Sequence, residues 1–156
     1  MGKEIERKFI VESDAYKELS KGVLYRQGYL SSDMKRTVRV RICDNRGYIT
    51  IKGKSQGATR PEYEYEIPVD DAQEMLEDLC KKPIIEKLRY KYSFEGFVWE
   101  IDEFLGDNLG LVIAEIELPD ENTKFNRPHW IGKEVTGMPE YFNSNLVHNP
   151  YKNWKP

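Results

Sequence analysis

In the segment EIERKF, Glu4, Glu6 and Lys8 occupy alternate positions. With the two-residue period of a β-strand they share one face. Neither Glu nor Lys favours strands, so the row needs a chemical reason. The same alternation recurs along the chain, mostly with one sign of charge per segment. Arg39 and Arg41 oppose Val38, Val40 and Ile42, and Lys52 and Lys54 follow Thr50 opposite Ile49 and Ile51. Lys87, Arg89 and Lys91 oppose Leu88, Tyr90 and Tyr92. The acidic rows are Glu62, Glu64 and Glu66, then Glu100 and Asp102, then Glu115 and Glu117. Carboxylates two positions apart lie about 6.6 Å apart along a strand, within reach of one hard divalent cation or two neighbouring ones. Lysine and arginine rows suit phosphate oxygens, Arg through its planar fork and Lys as a point charge. A ligand that spans both kinds of row is a metal-bound polyphosphate.

For one strand alone, a solvated sheet surface with cross-strand ion pairs of ~0.2–1 kcal/mol is the better explanation. It fits the whole set poorly. A merely solvated face would use Thr and Ser freely, and like charges at i and i+2 repel, as at Glu62, Glu64 and Glu66.

The elements that must position these rows follow from pattern and turn signals. Strands are predicted at 4–11, 24–30, 37–42, 48–54, 62–67, 84–94, 97–104 and 111–118, with a turn at Asp44, Asn45, Arg46 and Gly47. Short helices are expected from Ser13 towards Gly22 and from Val69 to Lys81, the latter with acids in its first turn. The tail from Pro128 mixes short helical patterns with Gly and Pro. Mostly hairpin-length connections indicate an antiparallel sheet, and eight such strands can close into a barrel. The predicted class is therefore α+β: an eight-stranded antiparallel closed barrel with helices outside and charged rows inside. Bases and acids in those rows nearly cancel, which an enclosed polar tunnel requires.

At 156 residues the chain is one domain, 1–156, with a core that needs no staples. Its 24 Lys and Arg against 27 Asp and Glu give a net charge of −3, and no long-range attraction to nucleic acid or an anionic membrane is expected. Cys43 and Cys80 form no disulfide framework or zinc pattern. No signal peptide or membrane-spanning run is evident, so a cytoplasmic protein is expected, and a homodimer stays open as its assembly. His129 and His148 read as surface residues, Trp99 and Trp130 as packing, and Cys80 as core.

These blocks resemble the CYTH superfamily, the triphosphate tunnel metalloenzymes. EIERKF looks like that family's ExExK signature. QGYL (27–30), RVR (39–41), ITIKG (49–53), RPEYEYEIP (60–68), EKLRY (86–90), WEIDEF (99–104), GLVIAEIEL (110–118) and WIGKEVTG (130–137) follow in register. The resemblance implies an eight-stranded tunnel, dependence on Mg²⁺ or Mn²⁺, and a small triphosphate as substrate. It implies Glu4, Glu6, Glu115 and Glu117 as metal ligands, with Glu62, Glu64 and Asp102 as weaker candidates. It places Lys8, Arg39, Arg41, Lys52, Lys87 and Arg89 on phosphate. Tyr29 is similar to a tyrosine that short-chain members hold near the attacked phosphate; proton acceptor and packing residue both stay open, and Lys87 is the other catalytic candidate. Lys133 and Glu134 are expected on a C-terminal helix that plugs one mouth, with Lys133 against substrate. Within the family, the short single-domain build looks like the bacterial tripolyphosphatases. Adenylate cyclase and thiamine triphosphatase are the enzymatic alternatives, and a non-catalytic polyphosphate-binding module is the alternative of another class.

Overall fold

A computed structural model describes residues 2–154. Nine strands form one antiparallel sheet: β1 (Lys3–Val11), β2 (Val23–Asp33), β3 (Arg36–Cys43), β4 (Arg46–Gly53), β5 (Thr59–Ile67), β6 (Ile85–Phe94), β7 (Phe97–Phe104), β8 (Val112–Glu117) and β9 (Ile131–Glu134). Their order is β5-β4-β3-β2-β6-β7-β8-β1-β9, and β5 also pairs with β1, so eight strands make a ring. The alternating patterns end where the turns dictate. Asp44 and Asn45, both at positive φ, form the two-residue loop between β3 and β4. Such loops match the twist of the flanking strands, and Asn and Asp tolerate this backbone.

The ring closes by a short seam. β5 meets β1 only from Lys3 to Ile5, while β9 takes the same edge farther on, at Phe9 and Val11. Between them, Glu6 N donates to Ala58 O at 2.9 Å and Lys8 N to Thr136 Oγ1 at 2.9 Å. No segment of β1 within the seam is left without partners, which is how the barrel avoids an open edge.

The longest helix among the described residues, α1 (Val69–Asp78), lies over β3 and β4, where Ala72 and Leu76 pack on Val40. Its length stops three residues short of the Lys81 expected. The predicted helix after Ser13 is a single 3-10 turn, Ala15–Glu18. Aromatic loops cover the outer face of β1, β6, β7 and β8. Tyr16, Phe125 and Trp130 pack over the β1, β6, β7 and β8 side chains Phe9, Tyr90, Trp99 and Ile116. Ile51, Tyr63 and Tyr65 on β4 and β5 stay exposed.

Two expectations need correction. Residues 131–134 are a strand, not a helix, and Lys133 is exposed on it, outside the channel lining. Glu134 instead pairs with Arg7 on the outer side, at 2.6 Å. A different part of the tail faces the channel: α2 (Asn143–Leu146), a single turn preceded by Phe142. The interior is also not polar throughout. Ile85, Phe104 and Ile113 share strand parity with Lys87, Asp102 and Glu115, yet form an apolar cluster with Tyr29, Leu146 and Val147. One end of the barrel is thus packed with hydrocarbon on which α2 docks.

Candidate active site

The charged rows converge. Glu4, Glu6, Lys8, Tyr29, Arg39, Arg41, Lys52, Glu62, Glu64, Lys87, Arg89, Glu115 and Glu117 all line one channel inside the ring. Lys54, Glu66 and Lys91 are exposed and do not. The cavity measures about 240 Å³, below the ~300–1,000 Å³ typical of pockets for drug-sized organic ligands. It suits a compact inorganic chain.

Register explains the convergence. Glu6 lies opposite Glu117 and Lys8 opposite Glu115 across β1 and β8, and Glu100 opposes Glu115 across β7 and β8. On the other side, Lys52 opposes Glu62 and Thr50 opposes Glu64. These registers gather acids into two triads whose oxygens lie within 4.8 Å of one another: Glu4, Glu62 and Glu117, and Glu6, Glu100 and Glu115. Glu100 faces inward as its parity requires, and it, not Asp102, belongs to the clustered carboxylates.

Asp102 is elsewhere engaged. It is 1% exposed and accepts from Lys87 Nζ (2.6 Å), Arg89 Nε (2.7 Å) and Arg89 Nη2 (2.9 Å). Both its oxygens accept from cations, so it orders the basic wall, and it belongs to neither triad. Glu64 belongs to neither triad; it accepts from Thr50 Oγ1 at 2.7 Å and from Arg39 Nη2 at 3.4 Å.

The remaining cations pair across the channel. Lys52 reaches Glu4 (3.1 Å) and Glu62 (3.5 Å), Lys8 reaches Glu115 (3.1 Å), and Arg89 reaches Glu115 (3.3 Å) and Glu100 (3.4 Å). Arg41 has no carboxylate partner among the described residues, and Arg39 Nε is buried without an acceptor. Sequence reasoning did not single out Arg60, which lines the channel beside Phe142. The RPEYEYEIP block contains Arg60, but its position before the alternating run hid its direction.

Electrostatics divides the acids. Burial and then the neighbouring Glu115 and Glu4 charges push the Glu6 carboxyl well up. Burial and Glu4 also raise Glu62 and Glu117. Burial opposes ionisation of Glu115 too, but Lys8 and Arg89 carry it well below the ordinary range. Glu4 is likewise lowered, as Lys52 outweighs its burial. Acids that repel one another inside a channel gain most from a cation. Burial drives Lys87 down to about 7 against the pull of Asp102, and takes Arg41 down to about 10 with help from Arg39 and Arg89.

Residues 2–149 match the model of the CYTH domain. The chain belongs to the CYTH family. It is 69% identical over 155 residues to an inorganic triphosphatase of Acetivibrio thermocellus, covering 99% of both chains. An inorganic triphosphatase of Nitrosomonas europaea is 35% identical over 148 residues, covering 92% of this chain and 96% of that one. A crystal structure of an inorganic triphosphatase superposes with a TM-score of 0.65 at 31% identity, over 98% of this CYTH chain and 96% of the other. Among the described residues, no helix is long and apolar enough to cross a membrane.

Proposed function

We propose that this protein hydrolyses inorganic tripolyphosphate to pyrophosphate and phosphate with Mg²⁺ or Mn²⁺. The observation that carries the reading is the juxtaposition of two carboxylate triads with a basic wall inside one cavity of about 240 Å³. A pure anion-binding module would have no use for the triads.

The donor set fits a hard cation: each triad offers only carboxylate oxygen, the ligand that Mg²⁺ and Mn²⁺ prefer. Glu4, Glu62 and Glu117 would hold one ion and Glu6, Glu100 and Glu115 a second. Bound metal neutralises charge developing on the phosphoryl oxygens and polarises water for attack.

The protein's own groups do the rest. Lys8, Lys52 and Arg89 pair with the triad carboxylates. A bound triphosphate and its cation would replace both halves of those pairs, the acids serving the cation and the bases the phosphate oxygens. Arg39 and Arg41 start with donors to offer: the unpartnered Nε of one and the charge of the other, uncancelled by any described carboxylate. They are suited to grip the phosphate that accumulates negative charge. Tyr29 accepts a hydrogen bond from Gln27 at 3.3 Å, which leaves its own proton for a phosphate oxygen or the departing pyrophosphate. In the step itself, water oxygen forms a bond to the terminal phosphorus. The bridging P–O bond breaks, its electron pair stays on pyrophosphate, and the water's proton passes to a product oxygen or solvent.

Phosphate release should be fast from tripolyphosphate and at least tenfold slower from ATP and thiamine triphosphate, and EDTA should stop it. Cyclic AMP formed from ATP would favour a cyclase. Tight pyrophosphate binding with no turnover of any triphosphate would favour a binding module.

A further inference from the structure

Two neutral side chains sit among the cations. Gln27 on β2 is fully buried. Its Oε1 accepts from Arg41 Nε at 3.1 Å and Nη2 at 3.0 Å, and its Nε2 donates to Tyr29 Oη at 3.3 Å and Asn143 Oδ1 at 2.9 Å. A carboxamide has two acceptor sites and two donors, so Gln27 is saturated. The same Asn143 oxygen accepts a second bond, from Lys87 Nζ at 2.7 Å. Asp102 and Asn143 thus take two of the three ammonium donors of Lys87 and leave one for a ligand.

The choice of amides has an electrostatic consequence. Arg39, Lys8, Lys52 and Arg89 each have a carboxylate within ion-pair distance, whereas Arg41 is oriented by Gln27 alone, with the Tyr25 ring 5.0 Å away. A carboxylate at either amide position would fix the same donors but cancel charge that a phosphate uses. An amide fixes direction and leaves the charge in place.

We propose that Gln27 and Asn143 are positioning residues for phosphoryl transfer: Gln27 fixes Arg41 and Tyr29 with no carboxylate set against the guanidinium, and Asn143 adds a neutral acceptor to Lys87 beside Asp102. Asn143 opens α2, whose Leu146 and the following Val147 pack on Ile85, Phe104 and Ile113. Docking of this turn on the apolar end of the barrel therefore sets where Lys87 points. The C-terminal segment, outside the eight-stranded ring, becomes part of the site. This inference rests on the triphosphatase reading.

Steady-state kinetics of Asn143→Ala, Asn143→Asp and Gln27→Glu with tripolyphosphate and Mg²⁺ test it, alongside thermal melting of each. Asn143→Ala should lower kcat tenfold to a hundredfold with KM within threefold, because lost orientation is felt most in the transition state. Asn143→Asp keeps size and both accepted bonds but adds a charge. Gln27→Glu adds a charge while losing its donors to Tyr29 and Asn143. KM should therefore rise at least tenfold in both, with melting near wild type in Asn143→Asp and lower in Gln27→Glu. Unchanged kcat in Asn143→Ala, or unchanged KM in both acidic variants, overturns the proposal. If Asn143→Ala does not fold, the acidic pair decides alone. If the wild type releases no phosphate, the triphosphatase reading has failed; calorimetric titration of pyrophosphate then decides positioning. At least tenfold weaker binding to both acidic variants supports it, and equal binding overturns it.

Discussion

Replacing Glu4 and Glu6 together by Gln abolishes metal-dependent phosphate release while the barrel survives. Each substitution removes a ligand from a different triad, so neither ion keeps three protein carboxylates. A metal contributes several kcal/mol of transition-state stabilisation, and each 1.36 kcal/mol is tenfold in rate, so a loss of about 10³-fold or more is expected. Stability should split between the single variants. Glu6 has a raised carboxyl pKa in the folded protein, through burial and its acidic neighbours. Its ionised form opposes folding increasingly as pH rises above the unfolded value, and Glu6→Gln should melt no lower than wild type at pH 7. Glu4 is lowered because Lys52 outweighs burial. It stabilises above its unfolded value, so Glu4→Gln should melt lower. Mg²⁺ should raise the melting temperature of wild type and not of the double variant. Full activity in that variant, measured as released phosphate, would remove the triads from the mechanism.

The second large effect concerns folding. Asp102→Ala should destabilise by about 3–5 kcal/mol, the usual cost of leaving a buried ionic partner unmatched. Lys87 and Arg89 are 1% and 7% exposed, and Asp102 is bonded to both. For a chain of this size, that corresponds to a melting temperature lower by roughly 6–20 °C. The pH dependence carries a sign. The Asp102 carboxyl is lowered in the folded state, as Arg89 and Lys87 outweigh its burial. Its contribution is present above the unfolded value near ~3.9 and disappears as pH falls through the folded one. The gap between wild type and Asp102→Ala should therefore be widest near neutrality and close in acid. An equal gap at pH 7 and at acid pH would mean that packing, not the ion pair, is what the variant loses.

What could be read from the sequence divides along a physical line. Alternation of charged and apolar residues located seven of the eight predicted strands and the inward face of each, because the two-residue period is local and a buried row of one sign is a strong deviation. The Asp44–Asn45 turn was equally legible, as few residues tolerate its backbone. Roles that depend on register were not. Glu100 and Asp102 share a face, yet only the offset between β7 and its neighbours puts Glu100 with Glu6 and Glu115 and Asp102 between Lys87 and Arg89. Gln27 and Asn143 were invisible to a reading built on charge. β9 is four residues long and contains Gly132, too short for a period to stand out. Its pairing with β1 is settled by the seam at residues 6–8, a tertiary feature. The apolar end of the barrel was hidden because Ile85 and Ile113 read as ordinary strand residues.

The central claim is that acids and bases meet on a single metal-bound triphosphate inside the ring. Crystals grown with Mn²⁺ and a non-hydrolysable imido analogue of tripolyphosphate, measured at the manganese absorption edge, test it most directly. The account predicts anomalous density within bonding distance of the Glu4, Glu62 and Glu117 oxygens or those of Glu6, Glu100 and Glu115, with the phosphate chain reaching Arg39 and Arg41. Manganese and analogue bound outside the channel, with Lys52–Glu4 and Lys8–Glu115 still paired, would contradict it.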